Sequence, residues 1–219
     1  MDCVIPTFDC LNEDEIIAIN KNSYEALYRK KDLITKQNSR INEVAFIKSG
    51  LVKIFKEGRL NKNHIVRLSS RGELLGIIPL LADQSHNYSA IALDDCSIIY
   101  INAQVLLRIL KNNGVFFTEI IKNVLNTDIA TTDRLISLTR KQLPGRIADV
   151  LLYFSEEIYK NNSFTLPLSR QELAELAGTT KESFIRTLTE FKNDRIISID
   201  SRNIIIESLQ IVKTLSKLG

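Results

Sequence analysis

Tryptophan is absent from this 219-residue chain, methionine occurs once, and there are only three cysteines and two histidines. Each shortage excludes something. His64 and His86 stand far apart and are too few for a histidine-rich metal site, which argues against a metalloenzyme. Cys3, Cys10 and Cys96 are an odd number at spacings unlike any paired metal motif, and free thiols are their expected state. Cys96 lies in an apolar, strand-like run and reads as core, whereas Cys3 and Cys10 are the candidates for oxidation. No apolar run reaches the ~18 residues of a membrane span. Residues 1–6 lack the basic start and apolar stretch of a signal peptide, so a cytoplasmic protein without a membrane partner is expected. A surplus of one charge is also missing: 29 basic against 26 acidic residues leave a net +3. Any contact with nucleic acid must therefore come from local placement of charge.

What is present is a globular composition, 44% hydrophobic and 25% charged, in a length that admits two domains. Residues 1 to 22 are amphipathic, with Leu11, Ile16, Ile17 and Ile19 among acidic and amide side chains, and are expected to be helical. From Tyr28 to Asn102 short β-branched runs alternate with turn residues, the pattern of an antiparallel sandwich or barrel. Helical periodicity begins at Ala103, with a short helix over Gln104–Lys111 and a long one over Phe116–Gln142, broken at Pro144-Gly145. On the long helix Phe117, Ile121, Val124 or Leu125, Asp128 or Ile129, Thr132, and Leu135 or Ile136 recur near every 3.5 residues. Pairing with a second copy would bury this seam, while packing on the chain's own barrel would explain one face.

Beyond a further helix over Arg146–Tyr159 and a short edge strand over Phe164–Leu168, Ser169 with Glu172, and Thr179 with Glu182, read as two capping boxes around a tight turn at Gly178. Leu173, Ala177, Phe184 and Leu188 fall where two short helices cross, and Ala174 is small enough to allow close approach. This is a helix-turn-helix pattern, although an ordinary helical hairpin shares it. Its second helix offers Thr180, Lys181, Glu182, Ser183 and Arg186 outward, groups suited to phosphates and base edges. Ile196–Ile199 and Ile204–Glu207, joined by a turn at 200–203, form a hairpin placed as the wing of a winged helix.

The order of barrel, long helix and winged helix-turn-helix resembles the Crp/Fnr family of bacterial transcription regulators, over essentially the whole chain. Its most specific motifs are Gly145-Arg146-Ile147-Ala148, Ser169-Arg170-Gln171-Glu172-Leu173 and Lys181-Glu182-Ser183-Phe184-Ile185-Arg186. The resemblance implies that Glu182 and Arg186 read base pairs, since residues i and i+4 share a helix face. Lys181 would read a base or a phosphate, and Ser169, Arg170, Thr179, Thr180 and Ser183 would hold phosphates.

Arg71-Gly72-Glu73-Leu74-Leu75-Gly76 is similar to the start of the family's phosphate-binding cassette, and Tyr88-Ser89-Ala90 to its end. Members that bind cyclic AMP carry a Glu and an Arg where Ile77 and Tyr88 stand here, so a cyclic-nucleotide site is not expected. Thr131 and Thr132 match the hydroxyls that touch the base in those members, or are polar seam residues. Three cysteines do not satisfy the four-cysteine iron–sulfur pattern, and His86 is the one candidate haem ligand in the cassette. An effector, if there is one, would be a small apolar molecule beside Ile77, Ile78, Leu80 and Leu81.

The expected architecture is α+β: an antiparallel β-barrel of the double-stranded β-helix or jelly-roll kind (1–114), a long dimerisation helix (115–143) and a winged helix-turn-helix (144–219). The expected protein is a homodimeric, non-enzymatic regulator of double-stranded DNA that contacts RNA polymerase if it activates. The alternatives are a cupin-type barrel metalloenzyme and a regulatory or scaffold subunit that binds a protein through the barrel.

Overall fold

The computed structural model describes residues 9–58, 63–82 and 84–219. Cys3 and the first part of the expected N-terminal helix lie outside them. Asn12 accepts from the Glu15 N–H at 2.9 Å while the Glu15 carboxylate accepts from the Asn12 N–H, and this box starts α1 (Glu13–Lys21). Eight strands follow: β1 (Ser23–Tyr28), β2 (Leu33–Thr35), β3 (Glu43–Ser49), β4 (Val52–Glu57), β5 (Asn63–Ser69), β6 (Leu74–Leu75), β7 (Ser89–Ala92) and β8 (Cys96–Asn102). A short α2 (Ile77–Leu81) comes after β6. The strands make two four-stranded antiparallel sheets, ordered β1-β8-β3-β6 and β2-β7-β4-β5. The chain passes back and forth between the two sheets, which is the jelly-roll pattern.

The central strands of the first sheet, β8 and β3, are buried on both faces, and their sequence says why. Val44–Ile47 and Cys96–Ile99 are continuous buried runs rather than half-buried alternations. Ala45, Ile47, Cys96 and Ile98 join Val52, Ile54, Ala90 and Ala92 of the second sheet in one cluster. Val44, Phe46, Ile99 and Ile101 point the other way, into a second cluster with Ile19 of α1, Leu106 and Ile109 of α3 (Ala103–Asn112), and Phe116 and Ile120.

The long helix is α4, Gly114–Arg140, 27 residues. It begins and ends two residues earlier than its sequence pattern indicated. The break falls at Lys141–Gln142, and Pro144 lies in the first turn of α5 (Leu143–Leu152), where a missing N–H is harmless. The chain divides into two compact units, Met1–Ile129 and Ala130–Gly219, with the boundary inside α4.

In the second unit, the helix expected over Arg146–Tyr159 is α5 continued by a π-helical turn, Tyr153–Ile158. There Phe154 is fully buried, with its ring 6.1 Å from Phe164 and 6.4 Å from Tyr159. Then come β9 (Ser163–Thr165), α6 (Arg170–Leu176), α7 (Lys181–Asn193), β10 (Ile197–Asp200), β11 (Asn203–Ile206) and α8 (Leu209–Leu218). β9 is the edge of a sheet ordered β10-β11-β9 and is shorter than expected, ending before Pro167. The β10–β11 hairpin turns through Ser201 and Arg202, with Ser201 at φ +55°.

Candidate nucleic-acid interface

α6 starts where the sequence indicated. The Ser169 hydroxyl accepts from the Glu172 N–H at 3.3 Å, and the Glu172 carboxylate accepts from the Ser169 N–H and hydroxyl at 2.8 Å. This capping box engages the Ser169 side chain locally. Leu173, Ala174, Leu176 and Ala177 are buried, and Gly178 takes a left-handed conformation (φ +61°) in which the chain turns. The second helix start differs by one residue. Thr179 donates its N–H to Ala174 O at 2.9 Å and belongs to the turn, while Thr180 is the cap, its hydroxyl accepting from Ser183 N–H at 3.3 Å. Glu182 therefore takes no part in a capping box.

Phe184, Thr187, Leu188 and Phe191 face inward from α7, and Lys181, Glu182, Ile185, Arg186 and Thr189 are exposed. One face thus carries an acceptor and a guanidinium a turn apart, geometry that can accept from a cytosine amine and fork onto guanine. Beside it lies a cleft of about 260 Å³, floored by Leu166 and Leu168, with Arg170, Lys181 and Arg202 on its walls. Arg170 donates from Nη2 to Ser201 O at 2.7 Å, tying α6 to the hairpin turn. Burial and the neighbouring Arg202 both lower its pKa, a strain that an anion would relieve. Its Nη1 is buried with no hydrogen-bond partner among the described residues. Arg202 was missed in the sequence because a turn position shows only its turn chemistry.

In the first unit the cassette positions Gly76, Tyr88 and Ser89 are internally satisfied. Gly76 donates its N–H to the Tyr88 hydroxyl at 2.8 Å, and Tyr88 packs against the cluster shared by the two sheets. Burial raises the Tyr88 pKa, so the phenol is neutral. Ser89 is fully buried; its hydroxyl accepts from Gln37 N–H and donates to Glu57 at 2.5 Å, and Glu57 pairs with Lys36 at 2.7 Å. Lys36, first, and Ser89 hold the Glu57 pKa below its ordinary value. A carboxylate therefore sits beside the serine where an anionic ligand would need donors. Ile77 and Leu80 are buried in the α1–α3 cluster, whereas Ile78 and Leu81 are 46% and 37% exposed, so these four side chains do not line one space. Thr131 and Thr132 are exposed on α4.

His86 is 7% exposed, lies edge-on to Tyr88 at 6.2 Å and is packed against Gly76, where a Cβ would come within 2.8 Å of its ring. Burial lowers its pKa, and its Nδ1 is buried with no hydrogen-bond partner among the described residues. Cys96 is buried beside Asp94, its thiol pushed up to about 12 by burial. Cys10 is a free thiol, and no group of three or more His, Cys, Asp or Glu among the described residues is placed to hold a metal ion. No described helix is long and apolar enough to cross a membrane.

Residues 25–113 match the family described as "Cyclic nucleotide-binding domain", and residues 145–213 match "Crp-like helix-turn-helix domain". The chain is 22% identical to the "HTH-type transcriptional regulator Cmr" of Mycobacterium tuberculosis, over 86% of this chain and 75% of that protein. It is 23% identical to the "Anaerobic regulatory protein" of Bacillus subtilis, over 90% of this chain and 85% of the relative. Among solved structures, FixK2 from Bradyrhizobium japonicum superposes with a TM-score of 0.81 at 21% identity, covering 90% of this chain and 98% of that one.

Proposed function

The chain belongs to the Crp/Fnr family of DNA-binding transcription regulators, and from that premise we propose that it acts as a homodimer reading an inverted-repeat operator through Glu182 and Arg186, without a cyclic nucleotide. The relatives it matches are named as regulators rather than enzymes, which sets aside the cupin-type metalloenzyme. The observation that carries the reading is the exposed Glu182–Arg186 face of α7 beside the cationic cleft of Arg170, Lys181 and Arg202. Base edges would meet the helix, and phosphates the cleft, Thr180 and Ser183. Ser169 and Thr179 support the site through the cap and the turn.

Dimerisation is supported by α4, which leaves Leu125, Ile129, Leu135 and Ile136 between 47% and 61% exposed. Phe117 is 39% exposed, and Ile121 is half-buried. Val124 packs on the core of its own unit, and Asp128 and Thr132 are the polar members of the stripe. A second copy of the helix, ~40 Å long, covers such a stripe. A twofold dimer then presents its two α7 helices about 34 Å apart, one turn of DNA.

Selection of bound sequences from a random duplex pool tests this. The expected product is an inverted repeat with G·C pairs at fixed positions in each half-site. Arg186→Ala is expected to lose ~1–3 kcal/mol and to relax preference at one position. No inverted repeat, or an unchanged motif bound equally well by the Arg186 variant, overturns the assignment.

The sensor reading has its own check. With Tyr88 closed on the Gly76 N–H and Glu57 against Ser89, titration calorimetry with cyclic AMP or cyclic GMP is expected to give no heat of binding. Micromolar affinity for either nucleotide would falsify it.

A further inference from the structure

The turn between α6 and α7 is held from outside by side chains of two other helices. Within the turn, Ala177 N–H donates to Leu173 O, Gly178 N–H to Glu175 O and Thr179 N–H to Ala174 O. The carbonyls of Leu176 and Gly178 lie outside this set. Arg134 of α4 donates to Leu176 O at 3.3 Å, and Arg146 of α5 donates to Gly178 O at 2.9 Å. Cations are well placed at the carbonyl end of a helix. Leu138 of α4 closes the third side: a Cβ on Gly178 would stand 2.8 Å from its Cδ2.

The corner between α4 and α5 is also tied. Asp149 of α5 accepts from Lys141 at 2.8 Å, from Ser216 of α8 at 2.6 Å, and from Ser137 of α4. The end of α4 is therefore bound to the turn from which α7 starts. Arg134 sits next to Leu135, which is 61% exposed on the face assigned to the partner helix.

We propose that Arg134 and Arg146 are positioning residues that transmit the placement of α4 to the recognition helix and so set the separation of the two recognition helices in the dimer. The inference rests on the dimer and operator reading above. Its specific content is that these arginines govern half-site spacing, not base preference. Arg134 burial lowers its pKa, in keeping with a guanidinium withdrawn from water to grip the backbone.

The experiment compares duplexes carrying the selected operator, the same operator with its half-sites moved apart by one or two base pairs, and a single half-site. The unmutated protein is expected to lose about tenfold or more in affinity when the spacing changes. Arg134→Ala is expected to bind all spacings within about threefold of one another, with unchanged affinity for the single half-site and the same bases preferred within it. Arg134→Lys, which keeps a charged donor, is expected to restore discrimination. Arg134→Gln replaces the alanine variant if thermal melting shows that the latter does not fold.

Full retention of spacing discrimination by both uncharged variants overturns the proposal. So does an equal loss on every duplex, single half-site included, because that is the mark of general destabilisation. An unmutated protein that selects no inverted repeat defeats the operator reading itself, and this inference with it.

Discussion

Lysine at both Leu125 and Ile129 is expected to turn the protein into monomers and to lower its affinity for the operator about a thousandfold. The two side chains are 53% and 58% exposed and lie one helical turn apart on α4, so each chain loses little of its own packing. Across a dimer the cost is large. Two ammonium groups per chain would enter a mostly apolar contact and would face their symmetry mates, a penalty of several kcal/mol per buried charge. A monomer has one recognition helix and loses the effective concentration that makes the second half-site bind. Light scattering checks the mass, fluorescence anisotropy on a labelled operator checks the affinity, and circular dichroism checks that the fold persists. A dimer mass for the double variant, or a monomer mass for the unmutated protein at micromolar concentration, would sink the expectation.

The second large effect is on stability. Phe154→Ala is expected to destabilise the unit at residues 130–219 by ~3–5 kcal/mol. Phe154 is fully buried at the π-helical turn, with its ring 5.7 Å from Tyr153, 6.4 Å from Tyr159 and 6.1 Å from Phe164 of β9. The π turn carries one extra residue relative to an α-helix, and in this turn Phe154 meets the stack that joins α5 to the three-stranded sheet. Alanine leaves a ring-sized cavity and removes three aromatic contacts, each worth ~0.5–1.5 kcal/mol beyond area burial. For a unit of this size the change corresponds to a fall of roughly 15–30 °C in melting temperature, and operator binding at physiological temperature should be lost with it. Phe154→Leu retains most of the volume and should lose about half as much. Urea unfolding followed by circular dichroism measures both. A loss under about 1 kcal/mol for the alanine variant would show that the cavity collapses and the stack is incidental.

The parts of the fold legible in the sequence are those whose causes lie within a few residues. Ser169 and Glu172 satisfy each other's backbone three positions apart, so the start of α6 could be placed to the residue. Gly178 marks a turn that needs a left-handed backbone, and the apolar spacing around it marks which faces are inward. The second cap fell one residue away because Thr179 and Thr180 are chemically alike, and the Thr179 N–H is taken by Ala174 O once the turn has closed. Likewise Pro144 signals a helix boundary in either direction: it can follow an end or sit in a first turn, and packing placed it in the first turn of α5.

By itself the sequence determined the two kinds of domain, the long helix between them, the wing, and the outward placement of Glu182 and Arg186 on the second helix of the helix-turn-helix. Helical and strand periods and caps are local, and each is repeated often enough to survive an error of a residue or two. Only the tertiary structure decided which distant group each polar side chain meets. Arg170 reaches Ser201, 31 positions on, and Arg146 reaches Gly178, 32 positions on. Tyr88 turns inward to take the Gly76 N–H, and Ile78 and Leu81 turn out to solvent while Ile77 and Leu80 turn in. Such pairings follow from chain segments folded side by side and from the need to satisfy each buried backbone group, and neither condition is written in local spacing.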